Sequence, residues 1–281
     1  MRILHISDLH VEPAPEERLP GLMASLDRDR DPLRRVGAEL MIVSGDLTTY
    51  GSSRPEHLAL AREWLDSLDI PYLAVPGNHD LGPSPARGER SPVQEAYEDV
   101  PYARTGYGRT FGTDPVQVRD LGELRVVGVG VREDDPDGAL PRLAETLSAD
   151  TRPVILVGHY PLAPTRDPKP HEEFGSEAFV PHTGAALLDL VRRHPNVRLY
   201  ACGHVHVTSV RQLAPHCTQV TAGSLGQGAS TYRVYDVDPA GLTYATALGA
   251  GPLGFWHTVD PNLSGEFSLG TSAERSGRLA W

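Results

Sequence analysis

Five short motifs hold the residues of this chain that could do chemistry: Asp8-Leu9-His10, Gly45-Asp46, Gly77-Asn78-His79-Asp80, Gly158-His159 and Gly203-His204-Val205-His206. They offer carboxylate, amide and imidazole donors and no thiolate. A mixed oxygen and nitrogen set of this kind suits divalent Mn, Fe, Zn or Co better than Ca or Mg. The donors outnumber what one tetrahedral or octahedral ion takes, so two ions sharing a carboxylate is the economical expectation. Each motif alone also reads as an ordinary turn, because Gly accepts positive φ and Asp or Asn bonds back to its own backbone. The recurrence is what carries meaning. In the last motif, residues two apart on a strand point the same way, so His204 and His206 are expected to face one site.

The elements that must position these residues follow from the apolar pattern. Every motif comes directly after a strand-like run: 2–7, 40–44, 72–75, 154–157 and 197–201. Loops at the carboxyl ends of strands are where an α/β protein places its chemistry. Helical spacing over 16–35, with Leu19, Leu22, Met23 and Leu26 on one side, and over 56–68 gives a β-α-β-α-β opening, the sign of a layered α/β domain. Further strands are predicted at 116–118, 124–131, 207–213, 218–222, 232–237 and 242–247, and further helices at 140–147 and 185–193. Two irregular segments, about 81–111 and 161–181, adjoin motifs and are expected to form a rim, the first with a short helix near 93–99. With no internal repeat and no clear linker, residues 1–281 read as one domain of two sheets with flanking helices. The tail 249–281 is expected to fold over it.

Composition bounds the function. A formal charge of −11 disfavours general binding to nucleic-acid backbone, which relies on Lys and Arg releasing counterions, so no stable nucleic-acid partner is expected. A metal cluster can reverse the field locally, so a phosphate substrate remains compatible with that charge. The first residues lack the basic region, long apolar core and cleavage site of a signal peptide. No apolar stretch approaches the roughly 18 residues of a membrane span. Cys202 and Cys217 give no disulfide framework and are expected to be reduced thiols near core strands, in a cytoplasmic protein.

As a set, the five motifs resemble those of calcineurin-like metallophosphoesterases, whose pattern is D-x-H, G-D, G-N-H-[D/E], G-H and G-H-x-H. The resemblance implies a four-layer αββα fold of two mixed sheets flanked by helices. It also implies one metal on Asp8, His10, Asp46 and His206, and a second on Asp46, Asn78, His159 and His204, with Asp46 bridging. The pair would be drawn from Mn, Fe or Zn. Two cations about 3.5–4 Å apart generate hydroxide from a shared water at neutral pH, which would attack phosphorus in line. His79 would sit beside the phosphate and serve the leaving oxygen. Asp80 would either hold the His79 ring in its useful tautomer or cap a turn.

Departures narrow the resemblance. The block Gly45-Asp46-Leu47-Thr48-Thr49-Tyr50-Gly51 lacks the arginine of Ser/Thr protein phosphatases, and Thr49 stands where purple acid phosphatases place a tyrosine ligand. The chain looks most like bacterial class III cyclic nucleotide phosphodiesterases and their glycerophosphodiesterase relatives. That implies a small, cyclic nucleotide-like phosphodiester as substrate. The alternatives are a phosphomonoesterase or nucleotidase, a single-strand nuclease, and, behind these, a non-catalytic binding module. A homodimer is compatible with the family.

The remaining side chains divide by position. His5 reads as a satisfied core residue, His57 and His194 as surface, and His171 and His182 as within reach of substrate. Arg87, Arg90, Arg104, Arg109, Arg166 and Lys169 could grip phosphate oxygens, or be solvated loop charges. Tyr102, Tyr107 and Phe111 could stack on a base, or pack the first loop onto the core.

Overall fold

The computed structural model describes residues 1–17, 20–81, 100–174, 181–226, 230–251 and 255–281. Strand and helix alternate through β1 (Arg2–Ile6), α1 (Leu22–Arg35), β2 (Leu40–Ser44), α2 (Pro55–Asp66), β3 (Tyr72–Val75) and the single turn α3 (Asn78–Leu81). There follow α4 (Gly106–Phe111), β4 (Val116–Leu121), β5 (Leu124–Val129), α5 (Ala139–Ser148), β6 (Val154–Val157), α6 (Lys169–Phe174), α7 (Pro181–Arg193) and β7 (Val197–Cys202). The last part holds β8 (Thr208–Ala214), β9 (Cys217–Ala222), β10 (Thr231–Asp238), β11 (Gly241–Leu248), α8 (Phe255–Val259), α9 (Gly265–Leu269), α10 (Ser272–Arg275) and β12 (Ser276–Ala280).

Among the described residues the strands form two six-stranded mixed sheets, ordered β12-β11-β10-β1-β2-β3 and β4-β5-β6-β7-β9-β8. The β1, β2 and β3 strands run parallel in the first, and β5, β6, β7 and β9 in the second. Parallel strands covered on both faces read as continuous apolar runs, as β2 and β6 do. Period-two alternation then divides each strand between two cores. Ile3, Ile42, Leu73, Val75, Ile155, Val157 and Leu199 fill the layer between the sheets. Leu4, Ile6, Met41 and Val43 face α1 and α2, while Val154, Leu156, Val197 and Tyr200 face α5 and α7. The result is the four-layer αββα arrangement.

Helix α1 starts later than its spacing predicts. Pro20-Gly21 interrupts the pattern, and Gly21 has φ +84. The Glu16 carboxylate instead accepts from the Gly21 and Met23 N–H groups, capping the helix from outside. His57 is also not at the surface: it lies buried on α2 beside Leu58, Ala61 and Leu65. Ala61 and Leu65, at i+4 and i+8 from it, belong to the same apolar face. His194 is half-buried, with Nδ1 donating to the Leu190 carbonyl. The helix predicted near 93–99 lies outside the described residues. Both cysteines are free and buried, on β7 and β9. No described helix is long and apolar enough to cross a membrane.

One buried cation ties the two sheets together. Arg233 on β10 is fully buried and donates to the Thr221 and Ser209 carbonyls of the opposite sheet, to Thr246 Oγ1 and to the Glu274 carbonyl. Burial pushes its guanidinium down to about 10, so it stays charged at neutral pH. Replacing Arg233 by Leu strands those carbonyls. Unpaired buried acceptors cost on the order of 1–3 kcal/mol each, so with three of them a loss of about 3 kcal/mol or more is expected. Urea unfolding checks it: the midpoint should fall clearly, and an unchanged midpoint would remove Arg233 as the tie between sheets.

Candidate metal centre

The loops after β1, β2, β3, β6 and β7 all open at one end of the two sheets. The first two are laddered together: Asp8, His10 and Val11 donate their N–H groups to the Gly45, Asp46 and Leu47 carbonyls at 3.0, 3.0 and 2.9 Å. Asp8, His10, Asp46, His204 and His206 all have left-handed backbone, with φ of 52, 51, 50, 71 and 52. Asp and His enter this region more readily than most residues. Even so, each costs on the order of 1–3 kcal/mol and persists only where its surroundings hold it. His204 and His206 therefore do not sit on a strand as their spacing predicts. They lie in the bend between β7 and β8, and left-handed turns, not strand alternation, bring both rings inward. The glycines serve close approach: a Cβ on Gly77 would overlap the Asp46 carboxylate, and one on Gly203 would overlap Ser7 and Asp8.

Donors, all buried except the half-buried His79, converge in three overlapping groups: Asp8, His10 and His206; His10, Asp46 and His79; and Asp46, His159 and His204. In the first, His206 Nε2 lies 3.4 Å from Asp8 Oδ1 and 3.2 Å from His10 Nε2. In the third, His159 Nε2 lies 3.3 Å from Asp46 Oδ2, 3.1 Å from Asn78 Oδ1 and 3.2 Å from His204 Nδ1. His159 Nδ1 must carry its ring's proton, because it is 2.8 Å from the Ser44 carbonyl, which can only accept. In the neutral ring, Nε2 thus turns a lone pair toward two oxygen acceptors. Facing lone pairs are repulsive unless positive charge lies between them. Donors about 2.0–2.2 Å from a common ion are themselves about 2.9–3.5 Å apart, which these separations match. The donor set therefore fits divalent cations.

The protein charges alone show the same demand. Burial would push the Asp46 carboxyl up, but the His159, His79 and His10 charges outweigh it and hold Asp46 well below the usual carboxylate range. Burial would push the His159 ring down, but Asp46 and Asp8 outweigh it, raising it to about 9, so without a cation the ring meets this demand with a second proton on Nε2, which a cation would replace.

His79 and Asp80 separate in role. The His79 N–H donates to Asp46 Oδ1 at 3.0 Å, and its ring Nδ1 donates to the Thr49 carbonyl at 2.9 Å. That contact sets the tautomer and leaves Nε2 as the basic nitrogen of the neutral ring. Asp80 takes the capping geometry: its oxygens accept from Leu47 N, Thr48 N, Thr48 Oγ1 and Gly77 N at 2.8–3.1 Å. It binds the β2 loop to the β3 loop. Burial, reinforced by the Asp46 charge, raises its carboxyl to about 7.

Asp8, His10, Asp46, Asn78, His79, His159, His204 and His206 are thus brought together, with Asp80 behind them. Several rim candidates are not. Arg166 is largely buried, bonded to Glu274, Phe267 O and Thr208 O. Lys169 pairs with Glu172 and Asp260. Arg109 bonds to the Arg104 carbonyl. His171 is exposed and pairs with Asp167. Tyr102 and Tyr107 are buried, and Phe111 stacks on Tyr107, so these rings pack the loop rather than face a ligand. His5 is a satisfied core residue, bonded to Tyr235 and Ser44 and pushed down to about 3 by burial. Arg87, Arg90 and the His182 side chain lie outside the described residues.

Sequence reasoning missed the groups that orient the donors. The Ser44 and Thr49 carbonyls fix His159 and His79 through main-chain atoms, which no residue type advertises. Tyr160 lies over His204 and edge-on to His159, with ring centroids at 4.7 and 5.1 Å. Its place next to a donor histidine was the available signal. Phe255 meets His206 edge to face at 5.1 Å, from a segment too distant in sequence to give one.

Comparison with known proteins agrees with this architecture. The model for calcineurin-like phosphoesterases matches residues 1–208. A probable cyclic nucleotide phosphodiesterase of Synechococcus sp. is 29% identical over 217 residues, 73% of each chain. The glycerophosphodiester phosphodiesterase GpdQ of Enterobacter lignolyticus is 23% identical over 269 residues, 92% of this chain and 91% of its own. Among solved structures, a dimetal phosphatase from Danio rerio superposes with TM-score 0.61 at 14% identity, covering 89% of this chain and 97% of that one. A purple acid phosphatase from yellow lupin seeds gives 0.63 at 15%, covering 88% of this chain and 51% of that one. These two show the fold. The family match runs through all five motifs, and the chain accordingly belongs to the calcineurin-like phosphoesterases and is a phosphoric ester hydrolase.

Proposed function

We propose that the protein is a phosphodiesterase of small, cyclic nucleotide-like diesters, working with two cations drawn from Mn, Fe and Zn. Asp8, His10, Asp46 and His206 would hold one, and Asp46, Asn78, His159 and His204 the other. The observation that carries this reading is Asp46, whose Oδ2 lies 4.0 Å from His10 Nε2 and 3.3 Å from His159 Nε2, between the two groups. Residues 1–281 are read as one catalytic unit in the cytoplasm, with rim insertions at about 81–111 and 161–181 and an extension at 249–281. The names of the two phosphodiesterase relatives support a diester over a monoester.

Bound cations would supply Lewis-acid activation of a water and neutralise charge on the phosphoryl oxygens. The chain's own work is positional and protonic. Asp46, buried and held as a carboxylate, keeps negative charge between the two groups of donors. Asp80 fixes the loops carrying Asp46 and Asn78, so the two groups keep their spacing. As the phosphorus–oxygen ester bond breaks, the departing oxygen needs a proton. His79 can deliver it from Nε2 when the ring enters the step as the imidazolium, returning to the neutral Nδ1–H form that stays bonded to the Thr49 carbonyl.

Three outcomes test the reading. Metal-reconstituted protein should hydrolyse bis-p-nitrophenyl phosphate and cyclic AMP faster than p-nitrophenyl phosphate; monoester-only turnover, or cleavage of single-stranded DNA alone, would overturn the substrate class. His79→Ala should lower kcat by about 10²–10⁴ on an alkyl-type diester such as cyclic AMP. The loss should be smaller on the aryl diester, whose phenolate leaves unprotonated, with cation content unchanged; equal losses would rule out His79 as the acid. Asp46→Asn should bind fewer than two cations by elemental analysis and lose turnover, and full activity would sink the shared-carboxylate arrangement.

A further inference from the structure

We infer that the segment beginning at Trp256, beyond the residues matched by the family, is the positioning element of the last motif, with Trp256 locking the bend that carries His204 and His206. The inference rests on the proposed cation sites, because its consequence is the cation affinity of the group Asp8, His10 and His206.

The bend needs a lock. Its two histidines have left-handed backbone, and the residue between them, Val205, is fully buried and turned the other way. From inside, Asp8 holds the bend: both of its carboxylate oxygens accept from His204 N at 3.1 Å. From outside, Trp256 is the counterpart. It is fully buried, packs with Val205 and Val207 in a small separate apolar cluster, and its indole N–H donates to the Val205 carbonyl at 2.9 Å. That carbonyl belongs to the peptide bond leading into His206, so the indole fixes the direction from which His206 leaves the backbone. Phe255, the preceding residue, meets the His206 ring itself edge to face. One short helix therefore grips the motif at its main chain, at the side chain between the donors, and at a donor ring.

The grip is itself anchored. Trp256 packs edge to face on Phe267 at 5.1 Å, and the Phe267 carbonyl accepts from Arg166 Nε at 2.9 Å. Arg166 also binds Glu274, at 2.7 Å, which Arg211 meets at 3.0 Å. Arg166 lies in the loop that follows His159, and Arg211 on β8, which follows His206. The segment is thus bolted to β8, the strand that continues from the bend, and braced against the loop that follows His159.

The test is titration of the full-length, metal-free protein with Mn²⁺ by calorimetry, with His206→Ala and His159→Ala as references that assign each binding step. Trp256→Phe keeps the ring and removes only the indole N–H. It should weaken the step lost in His206→Ala by about tenfold, the low end for groups that orient metal ligands. The step lost in His159→Ala and the metal-free melting temperature should stay near wild type. Phe255→Ala, at a half-buried position, should weaken the same step. Unchanged affinity in both variants overturns the inference. So does equal weakening of both steps with a lowered metal-free melting temperature, which marks a general structural role. Wild-type protein that binds no Mn²⁺ would instead overturn the cation sites themselves.

Discussion

The structure depends on one costly arrangement: buried carboxylate, amide and imidazole donors turned toward one another with their lone pairs facing. Desolvated charge of this kind is unfavourable unless opposite charge compensates it. His159 shows the tension most directly. Its Nδ1 proton is committed to the Ser44 carbonyl, so toward Asp46 and Asn78 the ring must be met by positive charge, either a second proton on Nε2 or a cation in its place. Everything near the centre works to stop this cluster from relaxing. The β1 and β2 loops are stitched by main-chain hydrogen bonds, Asp80 gathers four donors from two loops, and glycines at 77 and 203 let the chain approach where a Cβ would not fit.

Charge elsewhere in the molecule is used differently. Arginines expected to reach substrate turn inward or pair locally. Arg166 bridges to Glu274 and Arg109 bonds to the Arg104 carbonyl, while two arginines outside the rim are also spent internally, Arg132 on Asp137 and Arg233 across the sheets. Positive charge for a phosphate would therefore come chiefly from cations held at the donor cluster. With a formal charge of −11, the surface would repel a long polyanion while the centre attracts a compact one.

What was legible in the sequence, and what was not, follows from the range of the interactions. Strands β2, β3 and β6 are readable to the residue, because a short parallel strand covered on both faces is an almost unbroken apolar run bounded by turn residues. The start of α1 was misplaced because the Glu16 cap and the Pro20-Gly21 break override a continuing apolar period. The polar type of His57 points to a surface position, but its i+4 and i+8 spacing to Ala61 and Leu65 puts it on the buried face. The convergence of His204 and His206 was foreseen for a reason that does not hold, since a left-handed bend achieves what strand alternation was expected to do. The Thr49 and Ser44 carbonyls were invisible in principle, because every residue has one and only the fold decides where it points.

The dependence of the centre on the far end of the chain is a matter of topology. In the first sheet, β1 lies between β2 and β10, pairing antiparallel with β10 from Arg2↔Asp236 to His5↔Arg233. Residues 1–208 alone would leave β1 as an open edge, and it is the loop from β1 that carries Asp8 and His10. The same portion would lose Leu225 and Gly226, whose N–H groups bond to the Ser7 and Asp8 carbonyls, and Ser224, whose hydroxyl also donates to the Asp8 carbonyl. All of the donor side chains lie within residues 8–206, yet the backbone that presents Asp8 is held from both sides of that boundary. An unpaired edge with strained left-handed residues at its end is a poor holder of fixed geometry. The motifs therefore specify which atoms can act, while strands β10 to β12 and the segment that packs under Val205 specify where those atoms stand.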